Sequence, residues 1–127
     1  MARILVCENW EHTGRLIGEE AENDDYAVVL LAKDNCKDYV IDNLELVVSE
    51  IQPDYMIIDS LNDRCFEAIS RAKRVKPNLV PIVYTTDSDI YHKAMVRGIP
   101  HFKKHSCQDS DNMFMFIYQH SRGIKIS

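Results

Sequence analysis

The stretch Pro53-Asp54-Tyr55-Met56-Ile57-Ile58-Asp59 decides the fold of this chain. Its apolar centre has the length of a β-strand, and the strand ends on a carboxylate. Three other short apolar runs also end on polar residues: Ile4 to Cys7 before Glu8-Asn9, Ile82 to Tyr84 before Thr85-Thr86, and Ile99 to Phe102 before Lys103-Lys104-His105. Ligands of an open parallel sheet bind outside the carboxyl ends of its strands, so we expect these polar residues to meet in one crevice.

Segments with helical periodicity alternate with the apolar runs, which is typical of βαβ units around a parallel sheet covered on both faces. We predict strands at Arg3–Cys7, Tyr26–Ala32, Asp54–Asp59, Leu79–Thr85 and Ile99–Lys103, and helices at Thr13–Glu22, Val40–Ile51, Asp63–Val75, Ser88–Arg97 and Ser110–Arg122. Gly14 and Gly18 disfavour the first helix, because each glycine costs about 1 kcal/mol relative to alanine. Pro81 is unusual in a central strand and indicates a position near an end of the fourth strand, or a strand at the edge of the sheet.

Composition limits the kinds of protein that this chain can be. Its 127 residues, 46% of them hydrophobic, predict one domain over residues 1–127. A formal charge of −5 argues against a surface that binds nucleic acids regardless of sequence. The four cysteines lack the paired spacing of a disulfide or zinc framework. We see neither the apolar stretch of a signal peptide nor a run long enough to span a membrane, so we expect a cytoplasmic protein.

Across nearly its whole length the chain resembles a receiver domain of the two-component response regulators, with the flavodoxin-like fold of the single-domain chemotaxis regulators. Four stretches carry the resemblance: Arg3 to Asn9 as the strand before the acidic pair, Pro53 to Asp59 as the strand ending in the phospho-acceptor, Pro81 to Thr86 as the strand ending in the switch hydroxyl, and Gly98 to His105 as the strand with the switch aromatic and the lysine. The resemblance implies a (βα)5 doubly wound sandwich whose five-stranded parallel sheet has the order 2-1-3-4-5.

The resemblance also implies a role for each candidate residue. The family neutralises the charge of the transferred phosphoryl group with Mg²⁺ and a lysine ammonium. By resemblance, the roles are Asp59 as phospho-acceptor and metal ligand, Asn9 as direct ligand, Glu8 as ligand through water, the Leu61 main-chain carbonyl as ligand, Thr86 as switch hydroxyl, Phe102 as switch aromatic, and Lys104 or His105 as the lysine.

Three departures from the family pattern bear on this reading. Asn9 replaces the second acid of the pair, so only Glu8 and Asp59 remain as carboxylates and we expect weak Mg²⁺ binding. Asp63 replaces a proline, which predicts a looser loop or a side-chain cap on the next helix. Counting from Gly98 without gaps puts His105 in the lysine position, whereas a one-residue deletion puts Lys104 there.

We therefore predict a stand-alone receiver, a signalling switch more than an enzyme. Asp59 would take its phosphoryl group from a sensor histidine kinase or phosphotransfer protein. The face of helix 4, strand 5 and helix 5 would then signal to a downstream protein or form a homodimer. The alternative is a pseudo-receiver that acts as an interaction module without phosphorylation. A flavin-phosphate binder is disfavoured, because Cys7 to Glu11 would present acids to an anion. The apolar run Met113 to Tyr118 is too wide for one buried helix stripe, which predicts a partner surface there.

Overall fold

The structure is a computed structural model that describes residues 2–34, 36, 38–104 and 107–123, with the side chain of residue 107 left out. Within these residues, five strands and five helices alternate along the chain. They are β1 (Arg3–Glu8), α1 (Glu11–Asn23), β2 (Ala27–Ala32), α2 (Tyr39–Ile51), β3 (Tyr55–Ile58), α3 (Cys65–Val75), β4 (Val80–Thr85), α4 (Ser88–Val96), β5 (His101–Lys103) and α5 (Cys107–Ser121).

The strands form a parallel sheet in the order β2-β1-β3-β4-β5, which confirms the predicted α/β, flavodoxin-like fold. Near their carboxyl ends, the central strands β1, β3 and β4 have directly paired residues. Cys7 of β1 pairs with Ile58 of β3, and Ile58 pairs with Val83 of β4. As a result, Glu8 and Asp59 follow neighbouring paired residues at the same edge of the sheet.

Each face of the sheet packs against its own layer of helices, because successive strand residues point to opposite faces. Leu5 and Cys7 contribute to a core cluster that contains buried residues of α2, α3 and α4. Ile4 and Val6 contribute to a second cluster, with buried residues of α1 and α5. The sheet is therefore covered on both faces, as the sequence predicts.

Helix α1 begins at Glu11, before the predicted start, and includes both glycines. A Cβ atom at Gly14 would lie 2.5 Å from Cδ1 of Leu30, and a Cβ at Gly18 would lie 3.5 Å from Cγ1 of Val28. The missing side chain at Gly14 lets the helix approach β2 more closely than any other residue would. The packing of this helix outweighs its low intrinsic propensity.

The structure decides two local details for which the sequence left alternatives. Pro81 lies near the start of β4, as predicted, but β4 is an internal strand between β3 and β5. The pairing with β5 begins only at Val83, so the missing N–H of Pro81 interrupts no bond to that neighbour. Helix α3 begins at Cys65, with Arg64 as the N-cap, and Asp63 precedes it at a φ of +66° instead of capping it.

Helix α5 divides its apolar run between the core and the surface. Met113 and Ile117 are fully buried, and Phe114 is nearly so. Met115 and Tyr118 are 54% and 46% exposed, which leaves apolar surface on the outside of the helix. In the part of the chain that the structure describes, no helix is both long and apolar enough to cross a membrane.

Candidate functional site

A lysine and two carboxylates meet at the carboxyl edge of the sheet. Lys104 Nζ lies 2.6 Å from Oε2 of Glu8 and 3.5 Å from Oδ2 of Asp59. The backbone N–H of Lys104 donates to the carbonyl of Thr85, which continues the β4–β5 ladder by one residue. The last residue of β1 and the residues that follow β3 and β5 thus share one crevice. His105, the other candidate for the lysine position, lies outside the described residues.

Glu8 is the most buried group of the site. The whole residue is 1% exposed, and no partner among the described residues hydrogen-bonds its Oε1 atom. The pKa of Glu8 is raised to about 7, first by burial and then by the charge of Asp59, while Lys104 opposes both effects. The carboxylate of Glu8 therefore depends on Lys104 for its charge compensation.

Helix α1 closes the crevice over Glu8. A Cβ atom at Gly14 would lie 3.4 Å from Cβ and 3.6 Å from Cγ of Glu8, so the bare helix backbone packs against the acid's stem. Our sequence reasoning treated Gly14 only as a cost to the helix and missed this contact. A glycine in the first turn of a helix that follows an acidic strand end is a signal that could have indicated this close contact.

The residues predicted to hold a metal supply only oxygen atoms, the ligands that Mg²⁺ prefers. Asp59 and Asn9 are half-buried beside Glu8. The Leu61 carbonyl accepts the Arg64 N–H at 3.1 Å and keeps its second lone pair. Within the described residues, no three His, Cys, Asp or Glu side chains are grouped to hold a metal. The unpartnered Oε1 of Glu8 nevertheless fits a hard cation, so this donor set is compatible with Mg²⁺.

The loop after Asp59 has an unusual backbone. Leu61, Asn62 and Asp63 have φ values of +50°, +54° and +66°, in the left-handed region. Asn and Asp tolerate this region better than other non-glycine residues, and a leucine there is strained. The Leu61 side chain is 2% exposed and packs in the core, which holds the strained residue in place.

Of the two predicted switch residues, Thr86 follows β4 and Phe102 lies on β5. Thr86 is exposed, one residue beyond β4, while the preceding Thr85 is buried and its hydroxyl accepts the backbone N–H of Asp87 at 3.0 Å. Phe102 is half-buried among residues of the α1–α5 layer, with its ring centroid 6.0 Å from that of Phe116. The roles of Thr86 and Phe102 stay predictions.

His101 is a further residue of this region that our sequence reasoning passed over. Its ring contacts that of Tyr91 on α4 edge to face, with the centroids 4.8 Å apart. Since His101 pairs with Val83 and Phe102 with Tyr84, the alternation along β5 sends the two rings to opposite faces of the sheet. The pairing register of β5 determines the face to which His101 points, and the sequence alone does not determine that register.

Neither a family model nor a curated protein matches the chain. Solved structures do match it. The orphan response regulator HP1043 of H. pylori superposes with a TM-score of 0.68 at 15% identity, over 93% of this chain and 95% of that one. The non-phosphorylated HemR receiver domain of Leptospira biflexa gives 0.66 at 17% identity, over 100% and 97%. A response regulator receiver protein of Burkholderia phymatum gives 0.68 at 18% identity, over 98% of each chain. At such identities the likeness is one of architecture, and the chain has the fold of response regulator receiver domains.

Proposed function

We propose that the chain is a phospho-accepting receiver of a two-component system, with Asp59 as the acceptor. One observation carries the proposal: Lys104 Nζ lies within 3.5 Å of two strand-end carboxylates, Glu8 and Asp59, in a receiver fold. A sensor histidine kinase or a phosphotransfer protein would supply the phosphoryl group in the cytoplasm. The chain would then act as a signalling switch and not as a metabolic enzyme.

The two carboxylates differ in a way that favours Asp59 as the nucleophile. The Asp59 side chain is 15% exposed and that of Glu8 is 2% exposed, so a phosphodonor reaches Asp59 more easily. Burial also raises the pKa of Glu8, which weakens it as a nucleophile at neutral pH. In the proposed step, an Asp59 oxygen forms a bond to phosphorus while the bond from phosphorus to the donor's leaving group breaks. The Lys104 ammonium stabilises the charge on the transferred oxygens.

We propose that Mg²⁺ binds weakly between Glu8, Asn9, Asp59 and the Leu61 carbonyl. When bound, the ion supplies positive charge beside the phosphoryl oxygens. The amide of Asn9 keeps an oxygen ligand in the set but brings no charge, so two carboxylates hold the ion. The unpartnered Oε1 of Glu8 supports this assignment, because a cation would satisfy an oxygen that the described residues leave without a hydrogen bond.

The proposed output passes through β5 to the surface of α4, β5 and α5. A phosphoryl group on Asp59 carries about −1.5 to −2 charges where the carboxylate carried one, and it competes with Glu8 for Lys104. Lys104 directly follows β5, and its backbone N–H donates to the carbonyl of Thr85 at the end of β4. A displacement of Lys104 would therefore be transmitted to β4 and β5. We propose that Thr86 and Phe102 respond as switch residues, and that a downstream protein or a second copy of the chain reads this face.

A second function is favoured by a specific observation: Lys104 lies closer to Glu8 than to Asp59. A lysine committed to a buried acid is a weaker partner for an incoming phosphoryl group. Together with Asn9, this supports a pseudo-receiver that keeps the fold as an interaction module without being phosphorylated.

Intact-mass measurement distinguishes the two functions. The protein is incubated with acetyl phosphate and Mg²⁺, and we expect one added phosphoryl group that hydroxylamine removes, as an acyl phosphate requires. Asp59→Asn should add none. Asp63→Asn is the matched control, because it removes a neighbouring carboxylate yet suits the left-handed backbone there. If the wild type stays unmodified with several small donors and with histidine kinases, the pseudo-receiver is the better description.

A further inference from the structure

A groove lies at the edge of the sheet opposite to the Asp59 crevice. It runs between the turn that joins α1 to β2 and the outer face of α5, and it has a volume of about 1350 Å³. Residues on its two sides include Asp24, Asp25 and Tyr26 on the turn and Asp111, Met115 and Tyr118 on the helix. Because β2 begins at Ala27, the groove lies where the strands start, and a ligand there leaves the charged crevice open.

The charge of this groove is negative. Asp24, Asp25 and Asp111 contribute three carboxylates and Arg122 one guanidinium, so the lining carries two net negative charges. The whole chain adds to this potential, with a formal charge of −5. The groove therefore attracts cations and repels phosphates and acidic peptides.

The groove also has an apolar and aromatic side that already receives one cation. Met115 and Tyr118 are about half exposed on it. The Arg122 guanidinium carbon lies 3.7 Å from the centroid of the Tyr118 ring, and the Arg122 side chain lies beside the Tyr26 hydroxyl. A tyrosine face attracts arginine and lysine side chains through its π electrons. The contact between Arg122 and Tyr118 is thus an example, within the groove, of a guanidinium stacked on an aromatic ring.

We propose that this groove binds a basic segment of a partner protein in which lysine or arginine side chains alternate with apolar ones. The cationic groups pair with the carboxylates of Asp24, Asp25 and Asp111, and the apolar groups cover Met115 and Tyr118. A second copy of this acidic chain matches the groove less well, because like charges would face one another. The inference does not depend on phosphorylation of Asp59.

The test is an amide-shift titration of the ¹⁵N-labelled full chain with two blocked pentapeptides, Lys-Leu-Lys-Leu-Lys and Glu-Leu-Glu-Leu-Glu. We expect the lysine peptide to shift the amide signals of residues 24–26, 111, 115 and 118, and the glutamate peptide to leave them in place. Asp24→Asn with Asp111→Asn should weaken the lysine peptide about five-fold, since exposed charge pairs contribute modestly. Tyr118→Ser should also weaken it. Asp42→Asn with Glu50→Gln, which removes the same charge from the exposed side of α2, should leave the affinity unchanged.

Several results would overturn the inference. Equal shifts with both peptides would show that charge does not select the ligand. Shifts from the lysine peptide confined to the Glu8–Asp59 crevice would place its binding elsewhere. The same affinity for the groove variant and the α2 control variant would exclude the carboxylates. Groove signals that move with protein concentration alone would identify a contact between copies of the chain. Each variant's far-ultraviolet circular dichroism spectrum establishes that it is folded.

Discussion

Replacing Glu8 by glutamine should change how the stability of the protein depends on pH. The folded protein holds a proton on Glu8 up to a pKa of about 7, whereas the unfolded chain loses it at the ordinary value of 4.5. Between these values the folded state binds more protons than the unfolded state, so the free energy of unfolding falls as the pH rises. The stabilising contribution is complete below pH 4.5 and is lost by the time the pH has passed 7.

The size of the effect follows from the two pKa values. One pKa unit corresponds to about 1.4 kcal/mol, and between pH 5 and pH 8 the calculated loss is about 2.5 kcal/mol. Glutamine keeps the shape of the side chain and does not titrate. The difference in unfolding free energy between Glu8→Gln and the wild type should therefore shift by about 2.5 kcal/mol in favour of the variant from pH 5 to pH 8.

Urea unfolding followed by circular dichroism, at several pH values and with EDTA present, measures this difference. The attraction of Lys104 is already contained in the folded-state pKa of Glu8. Replacing Glu8 therefore adds only a constant difference in unfolding free energy as long as Lys104 remains charged. Glu50→Gln, at an exposed position of α2, is the control and should keep the wild-type slope. If the curves of Glu8→Gln and the wild type run parallel, burial does not hold a proton on Glu8 and the electrostatic reasoning for the site is wrong.

Four further substitutions test other parts of the structure. Gly18→Ala should raise the free energy of unfolding by about 0.5–1 kcal/mol, because the new Cβ makes an ordinary contact at 3.5 Å. Gly14→Ala should raise it less or lower it, because Leu30 must move to make room. Equal urea midpoints for the two variants would refute this packing argument. Asp63→Gly should stabilise the protein by about 0.5–1 kcal/mol, since glycine adopts a φ of +66° without strain, and a lower melting temperature would contradict this. Asn9→Asp should tighten Mg²⁺ binding, with the neighbouring Trp10 as fluorescence reporter, and equal affinities would show that residue 9 does not face the metal.

The strands of the sheet were predictable from the sequence because several separate apolar runs each give a clear strand signal. The strand signal of Tyr55 to Ile58 is a continuous apolar run, and all four of these residues prove to be buried. The order of the strands came from the resemblance and not from the periodicity, since an alternation of strands and helices is compatible with several orders. The ends of the helices were less predictable. Helix α1 begins at Glu11, two residues before its predicted start, and its packing on β2 compensates for the two glycines.

The site was predictable to the level of its strand ends and no further. Glu8 and Asp59 come together because parallel strands bring their carboxyl ends to one edge. The lysine position stayed open between Lys104 and His105, because one residue more or less in a loop leaves no trace in a single sequence. The fit of Gly14 over Glu8 depends on the distance between a helix and a sheet, which local sequence does not encode.

Lys104 joins a backbone held by the sheet to a charge at the end of a flexible side chain. Its N–H is tied to Thr85, so the Cα atom stays with the sheet while four methylene groups carry the ammonium between two acids. A change of partner then needs only side-chain rotations, which are faster than any displacement of strands or helices. The crevice can rearrange its charges around a newly arrived anion first, and the surrounding fold can adjust afterwards.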